Sequence, residues 1–326
     1  MNYRRTFLAG AAALAVAPFA RAQQDSRRAT LRIVCGFPPG GTADTVARRA
    51  SEGMVPALAS SAVVENKTGA GGQIAAHAVK TSAADGGTLL LTPLGILSTY
   101  PHTFANLPYD PLNDFVAVGA GAAFDYAIGV GPMVPSSVQS IAELLQWCKA
   151  APTNASFGSP ATGAAPHFIG VLLGRAAGVE MVHVAYRGTP PALLDMVAGQ
   201  IPIVIGPLGE FLQYVEGGKC RILATCGEKR SHFASGVATL KEQGYPELVN
   251  TEWFGFFAPA GTADATIART NAQLARTLDT QAVAANFATL GMDVQLSSPG
   301  ELAARLRRDH AFWETVVQRV GFTPQS

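Results

Sequence analysis

The alternation of short apolar strands with amphipathic helices along the 326 residues predicts an α/β fold with doubly wound, mostly parallel sheets. The stretch 88–92 contains three consecutive leucines, which is typical of a strand covered on both faces. A chain of this length usually forms two domains of about 100–200 residues each. Hydrophobic residues make up 48% of the chain, enough to fill two cores. The sequence therefore predicts a two-domain α/β protein.

Residues 1–22 are predicted to be a removable export signal. The segment begins with the pair Arg4-Arg5, continues through a short apolar run and ends at Ala20-Arg21-Ala22, which has the small-x-small form of a cleavage site. The apolar run is too short to span a bilayer. The paired arginines favour the twin-arginine export route, although such pairs also occur in Sec signals. We expect cleavage after Ala22 and an exported mature chain.

The charge balance argues against several classes of partner. The predicted signal contains three arginines and no acid, which leaves 21 basic and 23 acidic residues in the mature chain and a formal charge of about −2. A nearly neutral chain of this kind is not typical of proteins that bind nucleic acid or an anionic membrane surface. We therefore expect no nucleic acid and no membrane surface as partner.

The cysteines and histidines indicate neither a disulfide framework nor a catalytic or metal centre. Cys220 and Cys226 bracket one predicted strand, whose ends lie too far apart to be bridged. Cys35 and Cys148 fall in a predicted strand and a predicted helix, and the spacing of the four fits no zinc site. The six histidines are scattered, and the chain contains no HExxH or GxSxG motif. We expect four free thiols, no metal and no cofactor.

The elements follow one another in a regular order. Predicted strands lie at 62–65, 88–92, 116–118, 126–130, 155–158, 181–186, 201–205 and 221–225. Predicted helices lie at 73–81 and 140–150, after the 155–158 strand as far as Ala177, and from Thr189 to the glycine at 199. From residue 263 onward the chain is predicted to be mainly helical.

The loop at 37–44 (FPPGGTAD) carries the strongest functional signal. It connects the first strand to an amphipathic helix, and its glycines allow the backbone to approach a ligand closely. A helix N-terminus offers unpaired N–H groups and the positive end of the helix dipole, which together favour an anion. The loop lacks a Walker lysine and dinucleotide spacing, so a small anion such as a carboxylate is predicted. An ordinary, well-capped connection between strand and helix is the alternative.

The same arrangement of strand, glycine-containing loop and helix N-terminus recurs at 158–167. There a predicted strand leads through a Gly/Ser/Thr/Pro loop into a helix. If each loop lies at the carboxyl edge of its own sheet, the two loops face each other across a cleft, where open α/β sheets bind ligands. Glycine-rich loops are also common in parallel sheets without a ligand. The repetition therefore favours a site between two helix N-termini only modestly.

Short motifs distributed over essentially the whole mature chain resemble those of a known family. They are FPPGGTAD at 37–44, VENKTGAGG at 64–72, DGGTLL at 85–90, YDP at 109–111, HVAYRG at 183–188 and WFGFFAPAGT at 253–262. With these stretches in this order, the chain resembles the Bug-type periplasmic solute-binding receptors of tripartite tricarboxylate transporters.

The resemblance implies a two-domain Venus-flytrap fold that closes over a ligand. It places domain 1 at 23–125 plus 255–326 and domain 2 at 126–254, with crossings near Tyr126 and Trp253. It also implies a periplasmic monomer that delivers a small organic-acid or amino-acid-like carboxylate to the membrane subunits of a transporter. In such receptors the two loops hold the carboxylate, which here gives the candidate ligand-binding residues Phe37, Pro39, Gly40, Gly41, Thr42, Ala43, Asp44, Gly158, Ser159, Ala161, Thr162, Gly163 and His167.

Several roles stay open at this stage. Asp44 is expected to cap its helix, although it could instead orient a water or accept from a ligand amine. His167 is expected to support its loop. The second loop carries Pro160 and the run Ala164-Ala165-Pro166 where relatives tend to have more Gly, Ser and Thr. Alternative functions are an exported α/β hydrolase that uses Ser159 or a histidine, and a ligand sensor for a membrane kinase.

Overall fold

The computed structural model describes residues 28–325; the predicted export signal lies outside the described residues. The strands are β1 (Arg28–Cys35), β2 (Ala59–Asn66), β3 (Thr88–Pro93), β4 (Phe115–Val130), β5 (Ser156–Ser159), β6 (Val182–Ala185), β7 (Ile203–Pro207), β8 (Arg221–Thr225), β9 (Thr251–Pro259) and β10 (Met292–Val294). The helices are α1 (Thr42–Met54), α2 (Gln73–Lys80), α3 (Gly95–Ser98), α4 (Tyr100–Thr103), α5 (Ile141–Ala150), α6 (Ala165–Ala177), α7 (Thr189–Val197), α8 (Leu208–Glu216), α9 (Asp264–Leu278), α10 (Gln281–Ala288) and α11 (Pro299–Val320).

Strand β4 connects two sheets. Its first part pairs antiparallel with β9 and β10 in a sheet of order β2-β1-β3-β9-β4. Its last residues, from Tyr126 to Val130, pair antiparallel with β7 and β8, and β7 leads on to β5 and β6. The strand changes partners between Asp125 and Tyr126. We call the part of the molecule built on the first sheet the first lobe and the part built on the second sheet the second lobe.

The outer strands of each sheet are parallel. In the first lobe β1 pairs parallel with β2 and β3, and in the second lobe β5 pairs parallel with β6 and β7. Parallel neighbours require crossover connections, which the helices between the strands supply. The carboxyl ends of β1 and β5 therefore lead directly into the loops before α1 and α6.

The C-terminal helices cover the first sheet. Helix α9 packs on α1 and β4, and α11 packs on β4 and α3. Helix α11 begins with a capping box in which Ser298 accepts from the Glu301 N–H at 3.2 Å and the Glu301 carboxylate accepts in return. The discontinuous first domain, with its boundaries at 125–126 and 254–255, stays a prediction.

Hydrogen bonds hold the place where β4 passes from the first sheet to the second, beside the start of β9. The Thr251 hydroxyl donates to Asp125 Oδ1 at 2.8 Å, and the Tyr126 hydroxyl donates to Glu252 Oε2 at 2.9 Å. The Arg305 guanidinium lies 4.8 Å from the centre of the Trp253 ring and also donates to the Thr251 carbonyl. The two contacts of Arg305 fix the start of β9 relative to α11.

The four cysteines and the apolarity of the helices can be read directly from the structure. Cys35, Cys148, Cys220 and Cys226 are all free and buried, as the sequence predicts. Within residues 28–325, none of the helices combines the length and the apolarity that crossing a bilayer requires.

A close backbone approach joins α8 to the turn after α10. A Cβ on Gly209 would overlap the Leu290 carbonyl oxygen, so only glycine fits at this contact. We expect Gly209→Ala to lower the free energy of unfolding by about 1–3 kcal/mol, the usual cost of overpacking. Urea unfolding followed by circular dichroism measures this loss. The control is Gly217→Ala after the end of α8, where the new Cβ would lie 3.4 Å from its nearest neighbour. Equal stabilities of the two variants would contradict the prediction.

Candidate ligand-binding cleft

A cleft lies between the lobes, at the carboxyl ends of β1 and β5. It contains about 650 Å³ of space, including its opening to solvent. Its wall is mostly apolar and rich in aromatic rings and prolines. The lining residues are Phe37, Pro38, Gly41, Thr42, Ala43, Pro93, Gly95, Ile96, Tyr100, Phe124, Tyr126, Pro160, Ala161, Ala164, Ala165, Pro166, Gly188, Thr189, Pro190, Pro207, Glu210, Glu252 and Phe254.

Asp44 fixes the shape of the first loop. Its carboxylate accepts from the Gly40 N–H at 2.9 Å, from Asn66 Nδ2 at 2.8 Å and from Arg48 Nε at 2.8 Å. Burial raises the pKa of Asp44, but the hydrogen bonds from Arg48, Gly40 and Asn66 outweigh it and hold the pKa below its ordinary value. Gly40 has a positive φ of 84°, a conformation that glycine adopts without strain. Asp44 therefore holds the loop rather than lining the cleft.

A stacked pair of histidines supports the second loop. The rings of His167 and His183 lie 3.9 Å apart, at 20° to each other. His167 Nδ1 accepts from the Gly163 N–H at 3.0 Å. The buried Ser159 hydroxyl donates to the Ala161 carbonyl at 3.1 Å and lies 2.7 Å from His183 Nε2. Because the hydroxyl proton goes to Ala161, we assign Nε2 of His183 as an N–H donor. Burial lowers the pKa of His167 to about 4 and that of His183 to about 3, with repulsion from His167 adding to the latter.

The helices that begin at the two loops start without a capping side chain of their own loop. Neither Gly41 before α1 nor Ala164 before α6 provides a side-chain cap. Within residues 28–325, five lining residues have a main-chain N–H group without a protein acceptor. They are Gly41, Ala43, Ala161, Ala164 and Ala165. Helix dipoles and free N–H groups at both loops make each loop suited to an anion.

Two acidic side chains also line the cleft. Glu210 at the start of α8 reaches across to the first lobe, where its Oε1 accepts from the Thr42 N–H at 3.3 Å and the Thr42 hydroxyl at 3.1 Å. Glu252 accepts from the Tyr126 hydroxyl and from the Trp253 N–H at 3.1 Å. Burial raises the pKa of both carboxyls, that of Glu252 to about 7 with repulsion from Asp309 adding to the effect. No lysine, arginine or histidine is among the residues described as lining the cleft.

With this geometry in place, sequence comparison identifies the family. The family "Tripartite tricarboxylate transporter family receptor" matches residues 46–322. The chain belongs to this receptor family. "Protein BugT" of Bordetella pertussis is 31% identical to it over 296 residues, which cover 89% of each chain.

Solved structures of similar proteins share the receptor's two-domain fold. The structure of the periplasmic binding protein BugD superposes with a TM-score of 0.84 at 29% identity, covering 91% of this chain and 99% of BugD. MatC from Rhodopseudomonas palustris with bound malate gives a TM-score of 0.82 at 29% identity, covering 88% and 98% of the two chains. A Rhodopseudomonas palustris protein with adipate gives 0.85 at 29% identity, covering 92% and 99%. The receptor is thus a solute-binding protein of Venus-flytrap fold and not an enzyme.

The structure divides the sequence-predicted site residues of the receptor into two groups. Those that line the cleft are Phe37, Gly41, Thr42, Ala43 and Ala161. Those that lie in the same loops without lining it are Pro39, Gly40, Asp44, Gly158, Ser159, Thr162, Gly163 and His167. Which of these residues contact a solute stays a proposal.

Sequence reasoning did not identify the lining residues outside the two loops. Tyr100, Tyr126, Glu210 and Glu252 lie in segments without a glycine-rich loop, and they reach the cleft only through the packing of the lobes. Glu210 in particular occupies the first turn of α8, where an acidic residue is ordinary. The sequence signal nearest to any of these four residues is the motif WFGFFAPAGT, which begins directly after Glu252.

The stacked histidines predict how the stability of the receptor depends on pH. A histidine in the unfolded chain takes up a proton near pH 6.5, whereas folded His167 and His183 stay neutral down to about pH 4 and about pH 3. Between these values the unfolded state binds more protons, so the free energy of unfolding falls as the pH is lowered from about 6.5. Urea unfolding at a series of pH values should show a weaker fall in a variant that combines His167→Gln and His183→Gln.

The double variant also loses the ring stack, which lowers its stability at every pH. The test is therefore the slope of the free energy of unfolding with pH, not its value at one pH. The control is Gly217→Ala, which removes no titratable group and should keep the slope of the wild type. A double variant whose stability falls as steeply as that of the wild type would show that the pair does not titrate in this way.

Proposed function

We propose that this receptor captures a small organic-acid or amino-acid-like carboxylate in the cleft and delivers it to the membrane subunits of a tripartite tricarboxylate-type transporter. The observation that carries the proposal is the pair of uncapped helix starts, at α1 and α6, on opposite sides of one cleft. Malate and adipate in the two Rhodopseudomonas palustris structures are small dicarboxylates, and they support this ligand class.

Main-chain recognition is energetically sufficient without a basic side chain. A charge-assisted hydrogen bond contributes roughly 1.5–3 kcal/mol. Three or four such bonds approach the about −8 kcal/mol of micromolar binding once the ordering costs are subtracted. The unpaired N–H groups of Gly41 and Ala43 in the first lobe and of Ala161, Ala164 and Ala165 in the second are the candidate donors.

The location and domain movement form part of the same proposal. The sequence of residues 1–22 supports export, with twin-arginine transport favoured and cleavage after Ala22, and the family supports a periplasmic location. The protein would then be a monomer. Its domain 1 (23–125 and 255–326) and domain 2 (126–254) would move relative to each other about strand β4 and the start of β9. The sensor alternative has the same fold, and neighbouring genes for membrane subunits would distinguish uptake from sensing.

Identification of the bound solute tests the proposal directly. Protein purified without added ligand is denatured, and the released small molecules are analysed by mass spectrometry. We expect a small carboxylic acid that raises the melting temperature of ligand-free protein as its concentration increases, because it binds the folded state. A thermal-shift screen of mono- and dicarboxylates without any response, on protein shown to be free of carried-over ligand, would contradict the proposal.

A valine at Gly41 tests the first loop as the anion site. Gly41 has an extended φ of −81°, which valine adopts, and a Cβ there would lie 3.4 Å from Glu210 Oε1, so the fold should survive. The branched side chain would obstruct the N–H groups, and the loss of one or two charge-assisted hydrogen bonds should weaken binding about 10- to 100-fold. Calorimetric titration with the identified solute measures this, with Gly236→Val at an exposed glycine as the control. Unchanged affinity in Gly41→Val would place the site elsewhere.

A further inference from the structure

The two carboxylate oxygens of Glu210 have different environments. Oε1 accepts two hydrogen bonds from Thr42, across the cleft. Oε2 is buried and has no hydrogen-bond partner among residues 28–325. The Thr189 hydroxyl lies close enough to this carboxylate to lower its pKa, but its geometry toward Oε2 falls short of a hydrogen bond. An acceptor is thus left without a donor on the wall of the cleft.

Glu252 provides a comparison within the same cleft. Its Oε2 accepts from the Tyr126 hydroxyl at 2.9 Å, and its Oε1 accepts from the Trp253 N–H at 3.1 Å. Both oxygens of Glu252 are therefore satisfied by the protein itself and need nothing from a ligand. Of the two acids in the cleft, Glu210 alone has an oxygen that still requires a donor.

Lobe closure over Glu210 is unfavourable without such a donor. A buried carboxylate oxygen that has lost water and gained no partner raises the free energy of the closed state. Among residues 28–325, the lining contains no lysine, arginine or histidine that could approach it. A ligand group that donates to Oε2 removes this cost, so closure would favour ligands that carry one.

We infer that the solute carries a nitrogen hydrogen-bond donor, either an ammonium or an amide N–H. This group donates to Glu210 Oε2 while the carboxylate of the solute binds the helix N-termini. This inference rests on the proposed function and narrows its ligand class to nitrogen-bearing acids. The aromatic rings of Phe37, Phe124 and Phe254 and the prolines of the wall indicate that the remainder of the solute is apolar.

A protonated Glu210 is the competing explanation. Burial raises the pKa of this carboxyl, and a neutral Glu210 would itself donate from Oε2 to an oxygen of a nitrogen-free acid. The substitution Glu210→Gln separates the two explanations because glutamine has nearly the same shape and presents a permanent donor. It should abolish recognition of an ammonium but preserve recognition of a plain carboxylate.

The experiment compares matched acids by calorimetric titration of ligand-free protein. The probes are the standard amino acids and their desamino counterparts, for example phenylalanine against 3-phenylpropanoate and leucine against 4-methylpentanoate, together with phenethylamine. We expect an amino acid with an apolar side chain to bind the wild type about tenfold or more tightly than its desamino partner, as one charge-assisted hydrogen bond provides. Glu210→Gln should remove this preference. Glu216→Gln, an exposed glutamate at the end of the same helix, should retain it.

The other outcomes distinguish this inference from the proposed function. Desamino acids that bind the wild type as tightly as their amino acids do, or amino acids that bind Glu210→Gln as tightly as the wild type, would overturn the inference and leave the carboxylate receptor standing. Phenethylamine as the sole binder would overturn the proposed function. A released solute without nitrogen, or no response to any probe, would overturn the inference. The melting temperature of each variant without ligand confirms that it is folded.

Discussion

The first N–H groups of a helix have no partner within the helix, and the rest of this structure is arranged around that constraint. At α1 and α6 the loops provide no capping side chain, so the N–H groups of Gly41, Ala43, Ala164 and Ala165 have no protein acceptor in the described chain. Orphaned donors persist where water or a ligand can satisfy them. Their position on opposite walls of one cleft makes solute binding the natural means of satisfying them.

The surrounding residues keep the two loops in place and the cleft shaped. Asp44 fixes the first loop through its bonds to Gly40, Asn66 and Arg48, and the neutral pair His167–His183 fixes the second. Charge in the two loops is thus used for positioning, and in the proposed function the solute carboxylate is recognised by main-chain groups. Glu210 makes a direct bond from the second lobe to Thr42 in the first. That bond links the position of the lobes to the chemistry of whatever lies between them.

Local patterns predicted the parts of this site that depend on local chemistry. The helix starts within 37–44 and 158–167 follow from glycine and proline turns, and the family follows from motifs in order. The sequence predicted separate strands at 116–118 and 126–130, whereas β4 runs unbroken from Phe115 to Val130. The intervening residues are mostly Gly and Ala, weak strand formers, and pairing with β9 and β10 decides their conformation. Glu210 and Glu252 reach the cleft only through tertiary packing, which no short pattern records.

The proposed recognition of an anion by the main-chain N–H groups at the two helix N-termini is tested most directly by solution NMR. Amide resonances of ¹⁵N-labelled protein are followed while the solute released from the purified receptor is titrated into ligand-free protein. A hydrogen bond to a carboxylate moves an amide proton downfield, so the amides of Gly41, Ala43, Ala161, Ala164 and Ala165 should shift downfield together and saturate at one affinity. Amides in both loops that stay unshifted while resonances elsewhere respond would contradict the account.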